Sequence, residues 1–336
     1  MTATVPTAAT TTMQAAVQRR YGGPEHMHLE TVEAPRPGPG EVLLEVRAAG
    51  VDRGVWHLMT GRPLVIRVLG FGLRRPRQPI AGEDVAGVVI GIGAGVTRFS
   101  LGDEVMGAAK GSYAPRAVAA EGKLVLKPAS LSFEQAAVLP VSGVTALRAV
   151  ERARITEGQR VLVLGASGGV GSSIVQLAAA AGAHVTGVAS AAKADLVRAL
   201  GASEVIDYRA EDVTSHDLEF DAILDVGGLT PLRRLRKVLS PTGTLVIVGG
   251  EGGDALTGGV GRQLGATVVS LFTRQTLTSF VAVTSAEQLE SLAARIAAGD
   301  VSPALTRTYP LAEAGTALAD LAAGRIAGKA AIVVER

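Results

Sequence analysis

Arg160-Val161-Leu162-Val163-Leu164-Gly165-Ala166-Ser167-Gly168-Gly169-Val170-Gly171, continuing as Ser172-Ser173-Ile174-Val175-Gln176-Leu177-Ala178, reads as a buried strand, a tight glycine turn and a helix that begins on the last glycines. Only residues with little or no side chain let the backbone come close to a pyrophosphate. The helix start then turns unpaired N–H groups and a partial positive charge toward it. The pattern is Ala166-x-Gly168-x-x-Gly171, with alanine at the first fingerprint position and Gly165 directly before it. A strand before the turn and a helix after it are the context a dinucleotide site requires. Ala166, Ser167, Gly168, Gly169, Val170 and Gly171 are therefore the expected coenzyme-binding turn.

The next strand supplies a second test. Ala183-His184-Val185-Thr186-Gly187-Val188-Ala189-Ser190 ends where an NAD site places an Asp or Glu on the ribose hydroxyls. Here the chain continues Ala191-Ala192-Lys193, and the first acid is Asp195. Without a carboxylate nothing repels a 2′-phosphate; Ser190 can donate to it and Lys193 can pair with it. NADP(H) is thus the expected coenzyme, the alternative being that Lys193 only starts a solvated helix.

A length of 336 residues suggests about two domains, and 47% hydrophobic content argues against disorder. Aromatics make up 3%, so the cores must be built from Ala, Val and Leu. A net charge of +2 is no nucleic-acid signature, even with a pI near 9. The densest basic stretch is Arg62, Arg67, Arg74, Arg75 and Arg77, interleaved with Leu64-Val65-Ile66 and Leu69-Gly70-Phe71. A membrane-surface or polyanion role is conceivable there. A flexible loop of solvated arginines beside a substrate pocket is the favoured reading, because Gly and Pro break any amphipathic helix. With no cysteine, disulfides, thiolate catalysis and Cys-ligated zinc are excluded. Residues 161–190 carry no formally charged side chain, yet the Ser167-Gly168-Gly169 break divides them into elements too short to span a membrane.

Residues 1–12 read as a disordered tail without a secretory signature. From 13 to 136, short runs such as Met27–Val32, Glu41–Val46, Asp84–Gly93 and Gly102–Gly107 are punctuated by Gly and Pro, the rhythm of a small β-barrel. From 137 to 275, helices alternate with strands at about 160–164, 183–188, 203–207, 220–226 and 243–248, with Leu232–Leu239 helical. That alternation implies a doubly wound α/β domain with a parallel sheet. Beyond 276 there remain helices near 287–298 and 311–323 and a strand over 329–334.

With these pieces in order, the chain resembles the medium-chain dehydrogenase/reductase superfamily, in its zinc-independent, quinone oxidoreductase-like (zeta-crystallin-like) branch. The resemblance rests on Tyr21-Gly22-Gly23-Pro24, Pro37–Val42, Ala48–Asp52, Gly82-Glu83-Asp84-Val85-Ala86-Gly87, Gly95–Phe99, Gly102–Val105, Leu139–Ala146, Gly165–Gly171 and Val205–Tyr208. It implies a Rossmann domain flanked by a GroES-like β-domain that the C-terminal segment (276–336) completes, with the active site in the cleft between them. It further implies that Lys193, Tyr208 and Arg325 surround the adenosine 2′-phosphate, that Thr145 lies near the nicotinamide ribose, and that Gly249 and Gly250 approach the nicotinamide. A cytoplasmic homodimer is implied too, with a strand near Ala266–Phe272 pairing sheet edges. Two departures stand out. The zinc-ligand positions near Val51 and at Gly82-Glu83-Asp84 hold no Cys or His, so no metal is expected, and Asp52 stands where relatives often carry Asn.

The chemistry this implies is transfer of a hydride from NADPH to a quinone or α,β-unsaturated carbonyl, whose oxygen becomes an anion needing a donor. Asp52, Arg53, Trp56 and His57 fall on the family's substrate loop, and Tyr113 follows the Gly111-Ser112 turn. Three have a structural alternative: a salt bridge for Arg53, a structural ring for His57, barrel packing for Tyr113. A carbonyl or secondary-alcohol oxidoreductase, and a coenzyme-binding redox sensor with little turnover, are the competing functions. Partners beyond a small-molecule substrate, whether nucleic acid or membrane, are not expected.

Overall fold

The computed structural model describes residues 11–215, 218–249 and 256–335. The chain opens with an antiparallel pair, β1 (Thr12–Gln18) and β2 (Met27–Glu33), so the first strand starts at the last residue of the expected tail. Long β3 (Glu41–Val51) leads into α1 (Arg53–Thr60). Next come β4 (Asp84–Ile92), β5 (Glu104–Ala108), β6 (Arg116–Ala120) and β7 (Leu124–Leu126). Alternate residues of β3 are buried along Val42, Leu44 and Val46, the period-2 signature of a sheet with one covered face.

The style then changes. Helices α2 (Phe133–Ala137) and α3 (Pro140–Ala153) precede β8 (Arg160–Leu164), α4 (Gly169–Ala180), β9 (His184–Ala189), α5 (Ala194–Ala199) and β10 (Glu204–Asp207). They are followed by β11 (Phe220–Asp225), α6 (Leu232–Leu235), β12 (Leu239–Ile247), α7 (Val260–Ser270) and β13 (Thr276–Ser279). The six strands pair in the order β10-β9-β8-β11-β12-β13, every pair parallel. This is the doubly wound order in which the direction of winding reverses between the first and fourth strands, opening a crevice there. Val161, Leu162 and Val163 are all fully buried, as a strand covered on both faces must be.

The chain closes with α8 (Ala286–Ala297), β14 (Leu305–Pro310), α9 (Ala314–Ala322) and β15 (Lys329–Val333). β15 pairs antiparallel with β3, so the C-terminal segment completes the N-terminal sheet, in the order β14-β15-β3-β4-β5-β7 with β6 also on β3. The two-domain α/β expectation is met.

Three particulars differ. β13 belongs to the parallel sheet, and Leu289, Leu292 and Ile296 of α8 pack with Val144 and Leu147 of α3. The coenzyme domain therefore runs past residue 275. Its helix α6 is one turn, because β12 begins at Leu239. The edge strand expected over 266–272 is the end of helix α7, and the true edge is β13. A short apolar run bounded by glycines fits either period, and here Gly258-Gly259, both at positive φ, start a helix that buries Ala266.

Candidate active site

The glycine turn is built as the fingerprint demands. Gly165 leaves β8 at φ +81°, and a Cβ there would stand 3.2 Å from Gly227 N. A Cβ on Gly171 would lie 2.1 Å from Gly165 O, so only glycine lets α4 start this close to the strand. Gly168 caps α4 without a side chain, leaving the helix N–H groups facing the crevice, where an anion is favoured. Gly328 N–H donates to Ser167 O at 2.7 Å, tying the turn to the entry of β15. Gly249 fits the same logic: a Cβ would meet Val226 O at 2.0 Å. Gly250 lies outside the described residues.

The crevice is a cavity of about 770 Å³ that Arg53, Gly165, Ser167, Tyr208, Gly227 and Arg234 help line, with the acids Glu211, Asp212 and Asp225 also on its wall. Tyr208 is exposed, with the Arg209 guanidinium 5.7 Å from its ring centre. Ser190 is buried at the end of β9. Lys193 donates to Gly324 O at 2.8 Å and Ile326 O at 2.7 Å. Partial burial holds its ammonium below the usual lysine range, and the nearby Arg209 and Arg53 guanidinium groups push the same way. Three cations thus converge just beyond β9, where a ribose-binding acid would otherwise sit. Arg325 is engaged elsewhere: its guanidinium grips Asp320 at 2.8 and 2.5 Å, and Tyr309 OH donates to the same carboxylate at 2.6 Å. Burial and that bond push Tyr309 up to about 12, while the Tyr309 and Arg325 bonds hold the Asp320 carboxyl low. Arg325 therefore lies beside the carbonyls that hold Lys193, with its own charge already paired. Thr145 on α3 donates to Val141 O at 2.7 Å.

The expected substrate-loop residues separate. Asp52 caps α1, accepting from Val55 N–H at 3.2 Å, and its Oδ2 is buried with no partner. Arg53 points to the coenzyme crevice rather than to Asp52's buried side. Trp56 packs against the barrel core, and His57 Nδ1 lies 3.0 Å from Arg62 O. Tyr113 is a correction: it is fully buried with its hydroxyl donating to Gly50 O at 3.0 Å, so it packs the barrel and reaches no substrate. Residue type and position beside a turn do not reveal which way a side chain points, and here the bend before β6 and the bond to Gly50 O hold the ring inside.

The site also holds a group the sequence reading passed over. Asp84 is fully buried and accepts from Val141 N–H at 3.0 Å, and its Oδ2 is 3.9 Å from buried Lys329 Nζ. Neither of those two atoms has a hydrogen-bond partner. Lys329 also lies against the coenzyme turn, since a Cβ on Gly169 would meet its Cδ at 2.5 Å. Burial pushes the Asp84 carboxyl well up, Asp52 and Glu83 add repulsion, and Lys329 opposes them. Glu83 is likewise raised by burial and by Asp52. The signal was available: a lysine opening the apolar run Lys329-Ala330-Ala331-Ile332-Val333 needs a buried counter-charge. Among the described residues no three His, Asp or Glu side chains converge to hold a metal ion.

Comparison with known proteins agrees with this architecture. A zinc-binding dehydrogenase family model matches residues 200–332, and an alcohol dehydrogenase GroES-like domain model matches 38–129. The chain is 31% identical to the chloroplast envelope quinone oxidoreductase homolog of Arabidopsis thaliana, over 96% of this chain and 98% of that one. It is 32% identical to the quinone oxidoreductase of Rattus norvegicus, over 90% and 91%. The quinone oxidoreductase of Coxiella burnetii superposes with a TM-score of 0.83 at 27% identity, covering 97% of this chain and all of that one. A glycine cradle at a parallel-sheet switch point, a barrel completed by the C-terminal strand and relatives matching from end to end lead to one conclusion: the chain belongs to the quinone oxidoreductase-like family of medium-chain dehydrogenase/reductases, oxidoreductases that use a nicotinamide coenzyme.

Proposed function

We propose that this oxidoreductase takes NADPH and reduces a quinone or an α,β-unsaturated carbonyl without a metal ion. The observation that supports the coenzyme choice is Lys193, with the Arg209 and Arg53 guanidinium groups acting on it, beyond a β9 end that offers no acid before Asp195. A 2′-phosphate placed there gains a charge-assisted hydrogen bond from Lys193. Arg53, expected on the substrate loop or in a salt bridge, is assigned here to the coenzyme side because it lines that crevice.

Bound coenzyme supplies the hydride. The chain's own work is to hold the phosphates on the α4 start, to keep the turn in register with β15 through the Gly328–Ser167 hydrogen bond, and to exclude water. The acceptor gains an electron pair on oxygen and then needs a proton. Burial first, and the charge of Asp52 second, push the Glu83 and Asp84 carboxyls toward the protonated form on the barrel side of the cleft.

Two measurements test this reading. Metal-stripped protein is expected to consume NADPH faster than NADH when offered a panel of quinones, enones and enals; consumption with none of them, despite coenzyme binding, would favour the sensor reading, and metal-free oxidation of secondary alcohols the dehydrogenase one. Lys193→Glu is expected to weaken NADPH by roughly 100-fold, from loss and reversal of a charge-assisted bond, and to leave NADH within a few-fold. Equal weakening of both coenzymes in fluorescence titration refutes the 2′-phosphate assignment.

A further inference from the structure

The segment between α1 and β4 presents an apolar crown set in arginines; Phe71 and Arg77 also help line a cavity of about 580 Å³ beside Glu83, and Val68, Leu69 and Leu73 do not. Val68, Leu69 and Leu73 are 70%, 68% and 66% exposed, and Phe71 is also exposed. Arg62, Arg74, Arg75 and Arg77 are exposed around them, and none of these four has an ion-pair partner among the described residues. From Arg53 to Gly82 the sequence contains six arginines and no Asp or Glu.

The crown is held out by the fold rather than left loose. Tyr21 OH donates to Phe71 O at 3.1 Å and Gly72 O at 2.5 Å, and the Arg67 guanidinium stacks 4.2 Å from the Tyr21 ring centre. Arg77 N–H closes a turn onto Phe71 O at 2.8 Å, with Gly72 at φ +113° where a Cβ would meet Arg75 O at 2.1 Å. That turn carries Leu73, Arg74 and Arg75 at its tip. A second bond, Val65 N–H to Leu256 O at 3.0 Å, anchors the other end to the coenzyme domain. Four large apolar side chains are therefore braced into water, an arrangement that needs a partner to be favourable.

We infer that this loop docks the protein on an anionic lipid surface, Val68, Leu69, Phe71 and Leu73 entering the headgroup–acyl boundary while Arg62, Arg74, Arg75 and Arg77 pair with lipid phosphates. Charge complementarity selects this occupant. A second copy meeting the same face about a two-fold axis would set arginine against arginine. A nucleic acid would engage the arginines but leave the apolar crown in water. A bilayer satisfies both, since basic residues near an anionic surface and apolar side chains at the interface act together. No helix among the described residues is long and apolar enough to cross a membrane, so the contact is a surface one.

Flotation with phosphatidylcholine vesicles, with and without about one-third phosphatidylglycerol, tests the inference on the full chain. Binding to the anionic vesicles and not to the neutral ones is expected, weakening with salt. Arg74→Ser/Arg75→Ser should reduce partition by roughly 30-fold. Val68→Ser/Leu69→Ser/Leu73→Ser should reduce it at least tenfold. NADPH affinity is expected to stay at the parent value in both variants, which also shows that they fold. The inference is overturned by no binding of the parent to anionic vesicles, or by triple-serine binding equal to the parent, which would mark a charge-only polyanion site. It is overturned as well if the serine changes halve the mass in solution, because a second copy then covers the crown. Because vesicle binding is read without acceptor, failure here leaves the proposed activity standing, and the converse holds.

Discussion

Gly171→Ala is expected to weaken NADPH binding by roughly ten- to hundredfold and to lower thermal stability. The added Cβ would stand 2.1 Å from Gly165 O, 2.8 Å from Gly165 C and 2.9 Å from Ala166 Cα, all backbone atoms that no rotamer change can move aside. Either α4 backs away from β8 or the turn deforms. Overpacking of this kind costs about 1–3 kcal/mol of stability. Moving the helix N–H groups out of line with the phosphates also forfeits at least one charge-assisted bond, worth about 1.5–3 kcal/mol. The control lies in α7, where a Cβ on Gly265 meets nothing within 4 Å. Gly265→Ala should raise stability by about 0.5–1 kcal/mol and leave coenzyme affinity unaltered. Titration of both variants decides the matter: parent-like affinity in Gly171→Ala would mean that the coenzyme does not sit on this turn.

Asp84→Ala is expected to be the most destabilising single change in the site, by about 3–5 kcal/mol. It leaves Val141 N–H without its acceptor and Lys329 buried without the one carboxylate within 4 Å of it among the described residues. Asp84→Asn separates the two losses, because the amide oxygen can still accept from Val141. The pH dependence has a definite sign. Burial raises the Asp84 carboxyl in the folded chain above its ordinary value, so the folded state holds this proton more tightly than the unfolded state. The associated stability is present below the unfolded value, about 3.9, and is lost as pH climbs through the raised folded one. Parent protein should therefore lose stability as pH rises above about 3.9, and Asp84→Asn should show a flatter profile there. Identical profiles in thermal melts of the two would show that Asp84 does not titrate in that range.

Much of this was legible in the chain. Gly165–Gly171 carries its own geometry, because steric exclusion at a strand–helix turn is a local property and glycine is the residue that relieves it. The five strands from Arg160 to Ile247 announce themselves by apolar runs at the right spacing, and their parallel pairing follows from the helices between them. Lys193 was visible as a cation where a carboxylate was missing. What failed were readings that depend on direction. The 266–272 run fits a strand or a helix equally until Gly258-Gly259 set its start, and Tyr113, a substrate-side candidate with barrel packing as its alternative, is fully buried. The pairing of Arg325 with Asp320, five residues before it and brought near by the end of α9, was likewise not legible in the chain.

The sequence by itself determined the two-domain architecture and the coenzyme turn, since both rest on short-range sterics and periodicity that neighbours in the chain impose on one another. Only the tertiary structure decided which charges meet. Asp84 and Lys329 are 245 positions apart, and β3–β15 pairing brings them within 3.9 Å in a region too dry to leave either alone. The same holds for the arginine-set crown of residues 68–75: its composition was readable, but whether those apolar side chains turn in or out was fixed by the Tyr21 brace beneath them.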